Sequence, residues 1–143
     1  MASNNLRNRY IQDGAGVVSQ QKLLVMLYDR LILDCEHAMT AIADKQWEAS
    51  NDKLQHAQAI VLELASALDT GAWEGGQSLL DLYTWFDEEL TTANVKKDAK
   101  YIKEPLKLIK ELRDTWNQAL TVVAAEQAQA REAGTSTFTT AAV

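Results

Sequence analysis

Residues 20–43, QQKLLVMLYDRLILDCEHAMTAIA, decide the fold. Leu24, Leu27, Leu31, Cys35, Ala38 and Ile42 recur at steps of three and four, the spacing that lines one face of an α-helix. Val25, Met26, Ile32 and Leu33 add apolar surface away from that face. Lys22, Asp29 and Glu36, seven residues apart, form only a thin polar strip. The segment therefore carries more apolar surface than one helix–helix contact buries. Ser19, just ahead of the run, is placed to cap the helix through its hydroxyl.

Downstream the pattern repeats. After Asp44-Lys45, a heptad-like seam of Trp47, Ser50, Leu54, Ala57, Val61, Leu64 and Leu68 predicts a second helix over 46–68. Gly71, Gly75 and Gly76 mark a loop over 69–76, with Trp73 expected to pin it. Leu79, Leu82, Tyr83, Phe86, Leu90 and Ala93 predict a third helix and Asn94 to Asp98 a turn. Ile102, Leu106, Ile109, Leu112, Trp116, Leu120 and Val123 predict a fourth. Pro105 requires that helix either to start near Glu104 or to kink, since proline lacks an N–H and clashes with the preceding turn. Residues 1–18 are polar, interrupted by Gly14 and Gly16, and read as a mobile arm. Residues 127–143, Ala/Gln-rich and then Gly/Ser/Thr-rich, read as a disordered tail. The expectation is all-α: an antiparallel four-helix bundle over 19–126 between arm and tail.

Composition narrows the function. A chain of 143 residues fits one domain with its own core. The net charge of −6 and isoelectric point near 4.9 argue against nucleic acid as a partner, because neutralising phosphates takes surplus Lys and Arg. Arg7 and Arg9 are not followed by an apolar stretch, and no run is long enough to span a bilayer, so neither a signal peptide nor membrane insertion is expected. Cys35 stands alone and fits a reducing, cytoplasmic setting.

Chemistry is sparse. A di-iron bundle needs two Glu-x-x-His pairs plus two further glutamates, and His37 and His56 do not supply that pattern. Methionines on an apolar helix face, Met26 and Met39, read as packing and not as haem ligands. The apolar neighbours of Cys35 give it nothing to lower its pKa. Gly75-Gly76 lacks the strand and lysine of a phosphate loop. Lys96, Lys100, Lys103, Lys107 and Lys110 form a stripe interleaved with Glu104, Glu111 and Asp114, which reads as a solvated face. No catalytic site, metal or cofactor is expected. The surplus apolar and aromatic surface of the first and third helices fits either a binding groove or a filled core, and periodicity leaves both open.

Local strings add a resemblance. Gln21-Lys22-Leu23-Leu24-Val25-Met26-Leu27-Tyr28-Asp29, preceded at a distance by Tyr10, resembles the opening of the FliS family of flagellin export chaperones. So do Leu62-Glu63-Leu64 leading to Leu68-Asp69, Leu90-Thr91-Thr92-Ala93-Asn94-Val95-Lys96-Lys97-Asp98, and Leu112-Arg113-Asp114-Thr115-Trp116, in the same order. The likeness spans residues 10–120. It departs at Ser19-Gln20-Gln21-Lys22, where the family commonly has Ser-Pro-Glu-Lys, at Arg30, where it has glycine, and at Pro105.

The resemblance implies a cytoplasmic bundle that holds the C-terminal segment of flagellin, preventing premature polymerisation before flagellar type III secretion. The export apparatus and other flagellar regulators are further partners it allows. On that basis the groove is expected to use Leu23, Met26, Leu27, Tyr28, Tyr83, Phe86, Leu90 and Asn94, with Tyr10 and Ile11 of the arm occupying part of it until flagellin displaces them. The alternative is a non-catalytic helical module that self-associates or binds another flagellar protein.

Overall fold

A computed structural model describes the backbone of residues 16–142 and the side chains of that span other than Val17 and residues 134–142. Among the described residues the chain forms four helices packed antiparallel: α1 (Gly16–Ala43), α2 (Trp47–Ala67), α3 (Gly76–Lys96) and α4 (Lys100–Ala142). They fall into two compact units. One comprises α1 from Met26, α2, α3 and α4 as far as Arg113; the other comprises the start of α1 and α4 from Asp114.

The larger unit contains the main core. Tyr28, Leu31, Cys35 and Ala38 of α1 are buried, as are Leu54, Ala57 and Val61 of α2, Tyr83, Phe86, Leu90 and Ala93 of α3, and Ile102, Leu106 and Ile109 of α4. Apart from Tyr28, which lies outside the expected α1 seam, these are three-and-four positions that the sequence marks on each helix; Leu24, Leu27, Leu68 and Leu82 of the same seams are only half-buried and Trp47 is exposed. In the smaller unit Ser19 and Val25 are buried, while Leu23, Leu24, Trp116 and Leu120 are half-buried.

Helix ends show where local chemistry sets the boundaries. α1 and α3 both close with the chain turning left-handed at a lysine, Lys45 (φ 56°) and Lys97 (φ 52°). The next amide then reaches back five residues, Gln46 N–H to Ala41 O at 2.8 Å and Asp98 N–H to Ala93 O at 3.1 Å. This pattern satisfies the last carbonyls of a helix and is usually built on glycine. Between α2 and α3, Asp69 accepts from the Gly71 amide at 3.0 Å. A Cβ on Gly76 would lie 2.8 Å from Thr70 Cα, so the close approach of two backbones requires glycine there. The ring of Trp73 lies against Gly75, the pinning role expected of it, although half of Trp73 remains exposed.

Several boundaries move from where the sequence placed them. Ser19 is not a cap: α1 starts at Gly16, whose φ of +60° makes it the point of entry, and the buried Ser19 lies inside the first turns. Nothing between Gly16 and Ser19 breaks a helix. Asn94 belongs to α3, which runs to Lys96, and Gly76 opens that helix instead of ending the loop. α4 starts at Lys100, so Pro105 sits in its interior, buried, and not in its first turn. Most of the arm (1–18) lies outside the described residues. α4 extends past residue 126 to Ala142.

Candidate partner-binding surfaces

Polar contacts at several levels lock the helices of the larger unit. In the core the hydroxyls of Tyr28 and Tyr83 meet at 2.5 Å, tying α1 to α3. Burial, with Tyr28 beside it, pushes the Tyr83 phenol well above its ordinary pKa, so it remains a neutral partner. Across α2 and α3, Asn94 Nδ2 donates to Asn51 at 2.8 Å, and Gln58 Nε2 donates to Thr91 at 2.8 Å and Asp87 at 3.1 Å. This amide ladder fixes the register of the two helices. A buried carboxylate, Asp34, joins α1 to His56 of α2 and lies 3.4 Å from Arg30 on its own helix. On the opposite edge of α1, Asp29 accepts from Arg113 at 2.6 Å and Glu36 pairs with Lys110 at 3.1 Å.

With the core filled, apolar side chains still face water. Met26 (42% exposed) and Leu33 (40%) stand on α1, and Leu62 (68%) on α2. Leu62 lies beside a groove of about 440 Å³ between α2 and α3. Ala59, Ala65 and Tyr83 line it with apolar surface, and Gln58 of α2 with Thr84 and Asp87 of α3 add polar groups to its lining. Small alanines either side of an exposed leucine leave room for a large apolar side chain of another chain.

The expected site residues divide. Met26 is exposed, and Leu23 and Leu27 are half-buried. Tyr28, Tyr83, Phe86 and Leu90 are buried in the core, where Tyr28 and Tyr83 touch. Asn94 is half-buried and engaged with Asn51. Tyr10 and Ile11 lie outside the described residues. The groove beside Leu62 was not anticipated; the signal for it is Ala59, Leu62 and Ala65, a small–large–small step of three displaced from the core seam of α2.

Cys35 is fully buried, its thiol pushed up to about 12 by burial and then by Asp34 and Glu36, which leaves it a packing residue. No group of three or more His, Cys, Asp or Glu side chains among the described residues is placed to hold a metal ion. No helix among them is long and apolar enough to cross a membrane.

Fold and surface together define an all-α four-helix bundle that leaves several large apolar side chains in water. The comparisons make the class specific. The family model for the flagellar protein FliS matches residues 2–123. The chain is 32% identical over 119 residues to the flagellar secretion chaperone FliS of Campylobacter jejuni, covering 82% of this chain and 93% of that one. It is 29% identical over 120 residues to the protein of that name in Bacillus subtilis, covering 84% and 90%. A crystal structure of a bacterial flagellar chaperone shares the fold, with a TM-score of 0.69 over 82% of this chain and 96% of that one at 21% identity. The chain belongs to the FliS family of flagellar secretion chaperones, a non-catalytic class.

Proposed function

We propose that this chain binds the C-terminal segment of flagellin in the cytoplasm, keeps it from polymerising and hands it on for flagellar secretion. The observation that carries this reading is the apolar surface left in water on a bundle whose core is already full: Met26 and Leu33 on α1, and Leu62 beside the α2–α3 groove. Flagellin termini are amphipathic and, unpaired, expose faces that assemble with other copies. A chaperone that offers several separated apolar footholds lets such a segment fold as it binds, burying on the order of 1,000–3,000 Å² while giving up several kcal/mol to ordering. The complex is then firm but releasable. In this reading Met26, Leu27 and Leu23 contribute contact along α1. Tyr28, Tyr83, Phe86 and Leu90 hold the helices that present the surface, and Asn94 keeps α2 and α3 in register.

Calorimetric titration with a peptide spanning the flagellin C-terminal segment tests the reading. Saturable one-to-one binding with a large negative heat-capacity change is expected. Absence of heat and of any shift in thermal stability at saturating peptide overturns it.

A further inference from the structure

The α2–α3 pair holds acidic charge that nothing within it offsets. Residues 54–95 carry seven carboxylates and no Lys or Arg. The rest of the chain holds all fourteen Lys and Arg against thirteen carboxylates, so the net charge of −6 arises in this one stretch. None of the seven pairs with a Lys or Arg among the described residues. Arg30, Lys110 and Arg113 pair instead with carboxylates of α1, and Lys100 with Asp98 in the α3–α4 turn.

The groove beside Leu62 lies wholly within this stretch. Its lining holds one carboxylate, Asp87, and no Lys, Arg or His. Gln58 Nε2 on the facing helix donates to Asp87 Oδ1 at 3.1 Å and to Thr91 Oγ1 at 2.8 Å. The Thr91 hydroxyl donates in turn to the Asp87 carbonyl at 3.0 Å. The carboxylate is thereby held in one orientation, while its second oxygen accepts no hydrogen bond among the described residues. Asp87 follows Tyr83, the aromatic part of the lining, by four residues on the same face of α3, about 6 Å along the helix axis.

We propose that Asp87 is a specificity-determining carboxylate of this groove, selecting a bound segment with a Lys or Arg three or four residues from the apolar side chain that enters it. The inference rests on the reading of the groove as a flagellin-binding surface. In a helical segment lying along the groove, one turn of separation matches the step from Tyr83 to Asp87. A cation there meets an oriented oxygen that lacks a partner and makes a charge-assisted hydrogen bond. An acidic residue at the same place meets Asp87 and the field of the surrounding carboxylates, and is rejected. Charges at the edge of an interface govern specificity and association rate more than affinity. Leu62 and its flanking alanines therefore supply adhesion, and Asp87 supplies discrimination.

The test is titration of the full chain with the flagellin C-terminal segment and with copies in which each Lys or Arg is replaced in turn by Gln. One replacement should weaken binding to the wild type roughly two- to fivefold at low salt, the range of an exposed ion pair. The same replacement should have no effect on binding to Asp87→Asn. The asparagine oxygen can still accept from Gln58, so the melting temperature of that variant should not move. Replacing the same cation by Glu should weaken binding further, and Asp87→Lys should restore it, which the loss of a merely structural contact would not do. The inference is overturned if every replacement acts equally on the wild type and on Asp87→Asn, if none has an effect, or if a segment lacking Lys and Arg binds through the groove. Should Leu62→Ala still weaken binding in those cases, the groove stands as the flagellin site and only the charge selection falls. Undiminished binding by both Leu62→Ala and Asp87→Asn moves flagellin off the groove, and no binding of the segment removes the flagellin reading itself; either result overturns this inference as well.

Discussion

Replacing Leu62→Ala separates the binding surface from the core. Fully burying a leucine side chain is worth about 1.5–3 kcal/mol. Leu62 is 68% exposed, so most of that amount has not been used in folding and is available to a partner. Its share on binding is about 1–2 kcal/mol, or roughly a 5- to 30-fold rise in Kd when it is removed. Folding should hardly register the change, with a stability difference within about 0.5 kcal/mol. Leu90→Ala, at a fully buried position on α3, should instead cost about 2–5 kcal/mol of stability. Titration calorimetry with the flagellin segment and thermal unfolding of both variants provide the readouts. Wild-type affinity in the Leu62 variant, with stability unchanged, would show that the α2–α3 groove is not where flagellin sits.

Other consequences follow from single contacts. Gly76→Ala should destabilise by about 1–3 kcal/mol, since its Cβ would meet Thr70 at 2.8 Å. Gly71→Ala, whose nearest contact would be 3.5 Å, should cost far less in the same denaturant titration. Tyr83→Phe should cost about 1 kcal/mol, and adding Tyr28→Phe should cost less than the two separate losses because both act on one hydrogen bond. The Cys35 thiol, raised from 9.0 to about 12, keeps its proton in the folded state after the unfolded chain has lost it. Its contribution to stability is therefore complete below pH 9 and should fall as pH climbs from 9 toward 12, a slope that Cys35→Ala removes. At neutral pH a thiol reagent should label Cys35 only on unfolding. Arg131 is exposed on the last stretch of α4, outside the larger unit, so limited trypsin should cut there before any site in 26–113; early cleavage within α2 or α3 would contradict this.

The helices were legible because each carries one clear seam. Trp47 to Leu68 steps by three and four, and α2 spans Trp47–Ala67, within a residue at either end of the expectation. Boundaries set by backbone conformation were harder to read. Ser19 looks like a cap, but whether a serine caps depends on where the chain enters the helix, and Gly16 takes that role. Lysine at a left-handed closing position gives no compositional warning, so α3 runs two residues past the expected turn at Asn94. The site was less legible than the fold. Tyr28, Tyr83, Phe86 and Leu90 fit a filled core or a groove equally well in sequence, because periodicity identifies an apolar face and not what covers it. Their burial is a tertiary fact. Leu62 was passed over because one exposed leucine is unremarkable in any sequence. It gains meaning from the alanines beside it and from Thr84 and Tyr83 across the gap, which come together only when α3 packs on α2.

Light scattering of flagellin monomers seeded to polymerise, with and without an equimolar amount of this chain, tests directly whether the bundle shields flagellin. The full chain should suppress filament growth, and the Leu62→Ala variant should need a higher concentration to do so. Unchanged growth at saturating chaperone would contradict the claim that this bundle shields flagellin's assembly surface.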